Sequence, residues 1–233
     1  MRGSSPETGH EWTDLALNAP GIGVSYEAAR RRKSDGPGAD RSWRVGADGE
    51  VAIAAVLAEL TDASRWRRLR RQPAGWRVLH SVPLGDGQGR IRGDVDHLVI
   101  GPPGVITINT KHHRTGRLEL DGEKLVVNGR PTEYIRKARR EAERVTGFLR
   151  PAMVAAGAAE LAERVAVRPL IAVVGGRLLI AQWAPGVTVV MPRQLVHTLR
   201  SIPAVLNEDE VGAVYEVARR STTWNPAPPP ARR

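Results

Sequence analysis

Four polar side chains on two otherwise apolar segments are the groups best placed to do chemistry in this chain. Asp94 and Asp96 lie in Gly93-Asp94-Val95-Asp96-His97-Leu98-Val99-Ile100, and Asn109 and Lys111 lie in Val105-Ile106-Thr107-Ile108-Asn109-Thr110-Lys111. The break between these Val- and Ile-rich runs is Gly101-Pro102-Pro103-Gly104, a pattern that predicts a β-hairpin. A symmetric bend sets Gly101 across from Gly104, which counts outward to Asp96 opposite Asn109 and Asp94 opposite Lys111. Side chains alternate faces along a strand, so all four groups share one face. Two acids, an amide and an ammonium are expensive to bury without partners, and a divalent cation with a phosphate satisfies that set.

The elements that must position these groups follow from apolar spacing. A helix opens at Gly46-Ala47-Asp48-Gly49-Glu50, with Asp48 as its N-cap and Ile53, Val56, Leu57 and Leu60 at helical intervals. A strand over 76–84 precedes the hairpin, and short strands over 117–120 and 124–127 follow it, joined at Asp121-Gly122. Ile135, Ala138, Ala142, Val145 and Leu149 recur at three and four, which predicts a long helix over 134–149. The run 165–174 suits a buried central strand and 187–191 a last one, while Pro192 and Asn207-Glu208-Asp209-Glu210 each open a helix. The order helix, three strands, helix, strand gives an α/β (α+β) fold, a mixed central sheet flanked by helices. Residues 43–200 are read as one domain, 201–222 as a C-terminal helix packed on it, and 1–42 and the Pro-rich 223–233 as disordered tails.

The formal charge of +10 points to a polyanionic partner such as nucleic acid, although skewed coding-DNA composition also produces 31 arginines against four lysines. The same scarcity singles out Lys111. Two basic clusters suit a phosphate backbone: Arg65, Arg67, Arg68, Arg70 and Arg71, and Arg136, Lys137, Arg139, Arg140 and Arg144 on the second helix, with Glu141 and Glu143 partly neutralising the latter. The absence of cysteine excludes disulfides, thiolate zinc sites and thiol nucleophiles. No apolar run approaches the roughly 20 residues that cross a bilayer, and the start has no signal-peptide core, so a soluble, cytoplasmic protein with no membrane partner is expected. A zinc site from His97, His112 and His113 is disfavoured, because His97 and His112 face away from Asp96 and Lys111. Nothing in the sequence fixes an oligomeric state.

Gly46 to Glu50, Gly93-Asp94-Val95-Asp96-His97, the Gly-Pro-Pro-Gly-Val turn and the element ending at Lys111 followed by Gly116 occur in the order found in the nuclease-related domain (NERD) family. The resemblance spans about 43–191, and the family belongs to the PD-(D/E)XK, restriction-endonuclease-like superfamily. It implies an αβββαβ core and Mg²⁺-dependent (or Mn²⁺-dependent) cleavage of phosphodiesters in DNA. By position, Asp96 matches the metal-binding aspartate, Lys111 the lysine of the (D/E)-x-K element and Glu50 the acidic residue of the first helix. Asn109 stands where an acid is usual. Metal oxygens are then expected from Asp96, the Asn109 amide and the Thr110 carbonyl, and catalysis from Lys111, Asp96 and Glu50. The alternative is a DNA-binding protein that keeps the nuclease fold and, through Asn109, has lost turnover. Each residue also has a plainer role: Asp96 as a buried acid paired with an arginine, Lys111 extended to solvent, Glu50 favoured by the helix dipole, Asp94 paired across the hairpin.

Overall fold

A computed structural model describes residues 12–22, 41–61 and 75–226. In chain order its elements are a 3-10 turn (Leu15–Leu17), α1 (Arg41–Thr61), β1 (Arg77–Gly85), β2 (Ile91–Gly101), β3 (Gly104–His112), β4 (Arg117–Asp121), β5 (Lys124–Val127), β6 (Arg130–Thr132), α2 (Tyr134–Ala155), α3 (Ala159–Arg164), β7 (Val167–Val174), β8 (Arg177–Gln182), β9 (Thr188–Val190), α4 (Pro192–Ser201), α5 (Glu208–Ala218) and α6 (Ser221–Trp224). The cluster Arg65, Arg67, Arg68, Arg70 and Arg71 and the run Arg30 to Lys33 lie outside the described residues.

The main sheet runs β1-β2-β3-β7-β9, antiparallel from β1 to β3 and parallel from β3 to β9. Its face toward α1 buries Val99, Ile106, Ile108, Leu170 and Ala172 against Ile53, Leu57 and Leu60, with Leu195 and Leu199 of α4 alongside. Leu98, Ile100 and Val105 on the other face pack on Val145, Leu149 and Met153 of α2. Each of these Val, Leu, Ile and Met side chains contributes about 1.5–3 kcal/mol by leaving water. The mixed α/β architecture agrees with the sequence reading, but β4 and β5 do not join the central sheet. They form a second sheet in the order β6-β5-β4-β8, packed through Leu118, Leu120 and Leu125 on Ile135 and Ala138.

The hairpin register is the predicted one, from Gly101↔Gly104 through to His97↔Ile108. Gly104 has φ +109°, and a Cβ there would stand 2.8 Å from the Ala166 carbonyl oxygen, so only glycine fits. Beyond His97 and Ile108 the two strands part: β2 continues on β1 and β3 on β7. Ser81, at φ +47° between the pairs His80↔His97 and Val82↔Val95, marks an irregularity in β1 beside Asp96.

Three local expectations change. Helix α1 begins at Arg41, so Asp48 lies inside it and is not an N-cap. Gly49, in the segment read as the helix start, marks a close approach: a Cβ there would lie 2.9 Å from the His112 Cβ and 3.3 Å from the Thr110 Cγ2. Gly49→Ala should therefore be destabilising on the order of 1–2 kcal/mol in urea unfolding, overpacking outweighing the gain in helix propensity. A variant as stable as the parent would show that α1 does not seat this tightly on β3.

The second change concerns residues 12–22, which fold onto the domain instead of trailing from it. Leu15 is 4% exposed within the core around Leu79, Val82 and Trp224. Asp14 pairs with Arg219, Thr13 N–H donates to Ser221 Oγ at 2.8 Å, and Asn18 Nδ2 donates to the Ser81 carbonyl at 3.0 Å. Thirdly, Thr223 and Trp224, placed by composition in the Pro-rich tail, are buried, and Trp224 Nε1 donates to the Ala218 carbonyl at 2.7 Å. An indole adjoining a proline-rich run is invisible to composition but supplies a large buried surface. Among the described residues no helix is long and apolar enough to cross a membrane.

Candidate active site

The parting of β2 and β3 opens a gap that polar groups from four elements share. Asp96 does not pair with Asn109 across a ladder. Its Oδ2 accepts the backbone N–H of Thr110 at 2.5 Å, replacing a strand bond with a carboxylate. Lys111 Nζ donates to the Thr110 carbonyl at 3.1 Å and sits 5.3 Å from the centre of the Tyr134 ring, with no ion pair to a described residue. The Thr110 carbonyl, expected as a metal oxygen, thus already accepts the lysine.

Glu50 reaches the gap from α1. It lies three residues before Ile53 and seven before Leu57, on the stripe that packs against the sheet, and is only 3% exposed. The backbone of Gly21, from the N-terminal segment, favours its charged form, while Oε2 has no partner. The other acid is one that sequence reading passed over. Glu141 of α2 accepts Asn109 Nδ2 at 3.0 Å, and both Glu141 Oε1 and Asn109 Oδ1 are buried without partners. The signal was present, because Glu141 stands three residues after Ala138 and four before Val145, both buried. Its nearness in sequence to Arg136, Arg139 and Arg140 made it read as part of a solvated face.

The electrostatics describe a site crowded with negative charge. Burial, then the charges of Asp96 and Asp94, pushes Glu50 up to about 8, against the pull of Gly21 and Lys111. Burial and the charge of Asp96 push Glu141 up to about 8, with Lys111 again opposing. Asp96 rises to about 6 through burial, moderated first by Lys111 and then by the Thr110 N–H. Burial also raises Asp94. One ammonium therefore faces four carboxylates in a poorly solvated gap, an arrangement in which ionising them all needs a further cation.

Among the described residues no three His, Cys, Asp or Glu lie close enough together to enclose a metal ion unaided. The donors nevertheless suit a hard cation of the Mg²⁺ kind. All are oxygens, three of them buried and unpartnered, and Mg²⁺ usually takes one or two carboxylates and fills its octahedron with water and phosphate.

The histidines separate as the sequence indicates. His97 is buried, its Nδ1 2.8 Å from Nδ1 of His80. His112 Nδ1 lies 2.6 Å from the Val45 carbonyl, and His113 Nε2 lies 3.4 Å from the Tyr134 hydroxyl. The basic residues of α2 also divide. Arg136 pairs with Glu133, Arg139 with Glu123, and Arg144 donates to the carbonyls of Leu84, Gly85 and Arg92. Lys137 and Arg140 are exposed, without an ion pair to a described residue.

The family model for the nuclease-related domain matches residues 45–174, which takes in α1 from Val45 onward, β1, the hairpin, the second-sheet strands β4 to β6, α2 and β7. No curated protein and no solved structure matches the chain.

Proposed function

The chain belongs to the nuclease-related domain family, whose general kind is PD-(D/E)XK-like, and on that premise we propose that it is a divalent-metal-dependent nuclease acting on DNA. The observation that carries this reading is the convergence of Asp96, Glu50 and Lys111, from β2, α1 and β3, beside buried oxygens that lack partners. Bound Mg²⁺ or Mn²⁺ would supply charge neutralisation at a phosphoryl oxygen and acidify an attacking water. Asp96 is the carboxylate ligand and the Asn109 Oδ1 a neutral one. The Thr110 carbonyl has one lone pair left beside Lys111. Glu50, buried beside these oxygens, balances the cation's charge. Lys111 directs its remaining N–H groups at the phosphate, where negative charge grows as the P–O bond breaks.

Supercoiled plasmid incubated with the purified chain should be nicked with Mg²⁺ or Mn²⁺ and left intact with chelator. Tight, salt-dependent binding without cleavage under either metal would favour the second reading, a DNA-binding protein without turnover. Asn109 is the specific observation behind that alternative.

Lys137 and Arg140 are assigned to the DNA backbone. Replacing both with alanine should weaken binding of any duplex sequence several-fold and lower the salt slope by about one to two, as expected for one or two lost phosphate contacts. Fluorescence anisotropy across a salt series reads both quantities. Unchanged affinity and slope would move the interface elsewhere.

A further inference from the structure

Strand position 109 carries an amide, and a carboxylate from another element meets that amide: Asn109 Nδ2 donates to Glu141 Oε2 at 3.0 Å. We propose that Glu141 of α2 is the second acidic metal ligand of the site, and that Asn109 is the residue that positions it. The inference rests on the divalent-metal reading above and adds to it a ligand from outside the hairpin.

Three observations carry it. First, Glu141 lies on the buried stripe of α2, between Ala138 and Val145, where an acid is costly unless something compensates it. Second, among the described residues the compensation is not an arginine, although α2 is rich in them. Arg136 and Arg139 hold other glutamates and Arg144 holds backbone carbonyls, which leaves Glu141 one amide bond. A merely structural acid on such a helix would be expected to take one of these guanidinium groups. Third, the amide's orientation leaves Asn109 Oδ1 and Glu141 Oε1 both buried and unpartnered, adjoining oxygens that call for a cation.

Asn109 and Glu141 therefore form a matched pair. An aspartate at 109 would set two carboxylates at hydrogen-bond distance and repel Glu141, whereas the amide holds it. With Asp96, Glu141 gives the two carboxylates that a magnesium site commonly uses.

The test is Mn²⁺ affinity of the full chain, measured by electron paramagnetic resonance of the free ion, so that no cleavage assay is needed. Glu141→Gln keeps an acceptor for Asn109 and removes only the charge. It should weaken Mn²⁺ by about tenfold or more. The double variant N109D/E141Q returns the carboxylate from helix to strand and should recover affinity to within about threefold of the parent. If E141Q binds Mn²⁺ as the parent does while D96N loses it, Glu141 is only a partner for Asn109 and this inference fails, with the metal site intact. A loss in E141Q that the double variant does not recover also refutes the exchange. If D96N itself leaves Mn²⁺ binding unchanged, the metal reading beneath the inference is what falls.

Discussion

Asp96→Ala and Lys111→Ala should each abolish metal-dependent plasmid nicking, lowering the rate by at least about 10²-fold to 10³-fold, while DNA affinity stays within about threefold of the parent. The separation follows from where the groups sit. Both lie in the gap between the parted strands, whereas Lys137 and Arg140, assigned to the backbone, are exposed on α2. Loss of Asp96 also strips the Thr110 N–H of its acceptor, so some of the effect of D96A is structural. Asp96→Asn separates the two contributions, because an amide oxygen still accepts that N–H while the negative charge is gone. D96N should be as inactive as D96A and more stable. Lys111→Ala removes the one ammonium among four raised carboxylates, which should pull their titration still higher and leave the site protonated near neutrality. Initial nicking rates with Mn²⁺, beside binding isotherms in chelator, check the prediction. Nicking that persists in both variants would place the chemistry elsewhere.

How much of this was legible in the sequence depends on the range of the interaction that decides each feature. The hairpin register was readable because it is local, set by two glycines about two prolines and by alternation with a period of two. The parting of the strands at Asp96 was not, because it depends on which neighbour each strand follows, β1 on one side and β7 on the other. Glu50 is reached through resemblance, and the structure places it on the buried stripe of α1. Glu141 occupies the same kind of position on α2 and was passed over, since its sequence neighbours are arginines and its one hydrogen-bond partner lies 32 residues away. Composition misled at both ends. Polar, Gly-rich surroundings hid Leu15, whose burial depends on Arg219 gripping Asp14 more than 200 positions later, and a proline run hid Trp224. Asp48 misled for a related reason: an acid beside glycines is a good helix start locally, but α1 gains two earlier turns, and its glycine serves the contact with β3.

Without divalent metal, thermal stability should fall as pH rises from about 6.5 to 8.5, and Mg²⁺ or Mn²⁺ should restore it most at the alkaline end. Glu50 and Glu141 titrate near 8 in the folded chain and near their ordinary 4.5 when unfolded. A carboxyl whose folded value is raised holds its proton more tightly when folded. Its stabilising contribution is complete below the unfolded value and is lost as pH climbs through the folded one. The window is chosen to exclude the histidines. His80, His97 and His113 are lowered by burial, so they cost stability only below about 6.5, where the unfolded forms take up protons that the folded forms refuse. Asp14, Asp86, Glu123 and Glu210, held down chiefly by arginine or backbone N–H bonds, act only at more acid pH still. The loss across the window should be on the order of 2 kcal/mol for each of the two carboxyls, or about 5 °C in Tm apiece for a chain of this size. Divalent cations bind the ionised carboxylates of the folded state, so their stabilising effect should grow as pH rises, in opposition to the metal-free trend. Glu50→Gln and Glu141→Gln should each flatten part of the metal-free slope. A Tm that is level across the window, or a slope indifferent to both substitutions, would mean that these carboxyls are not confined together in the gap.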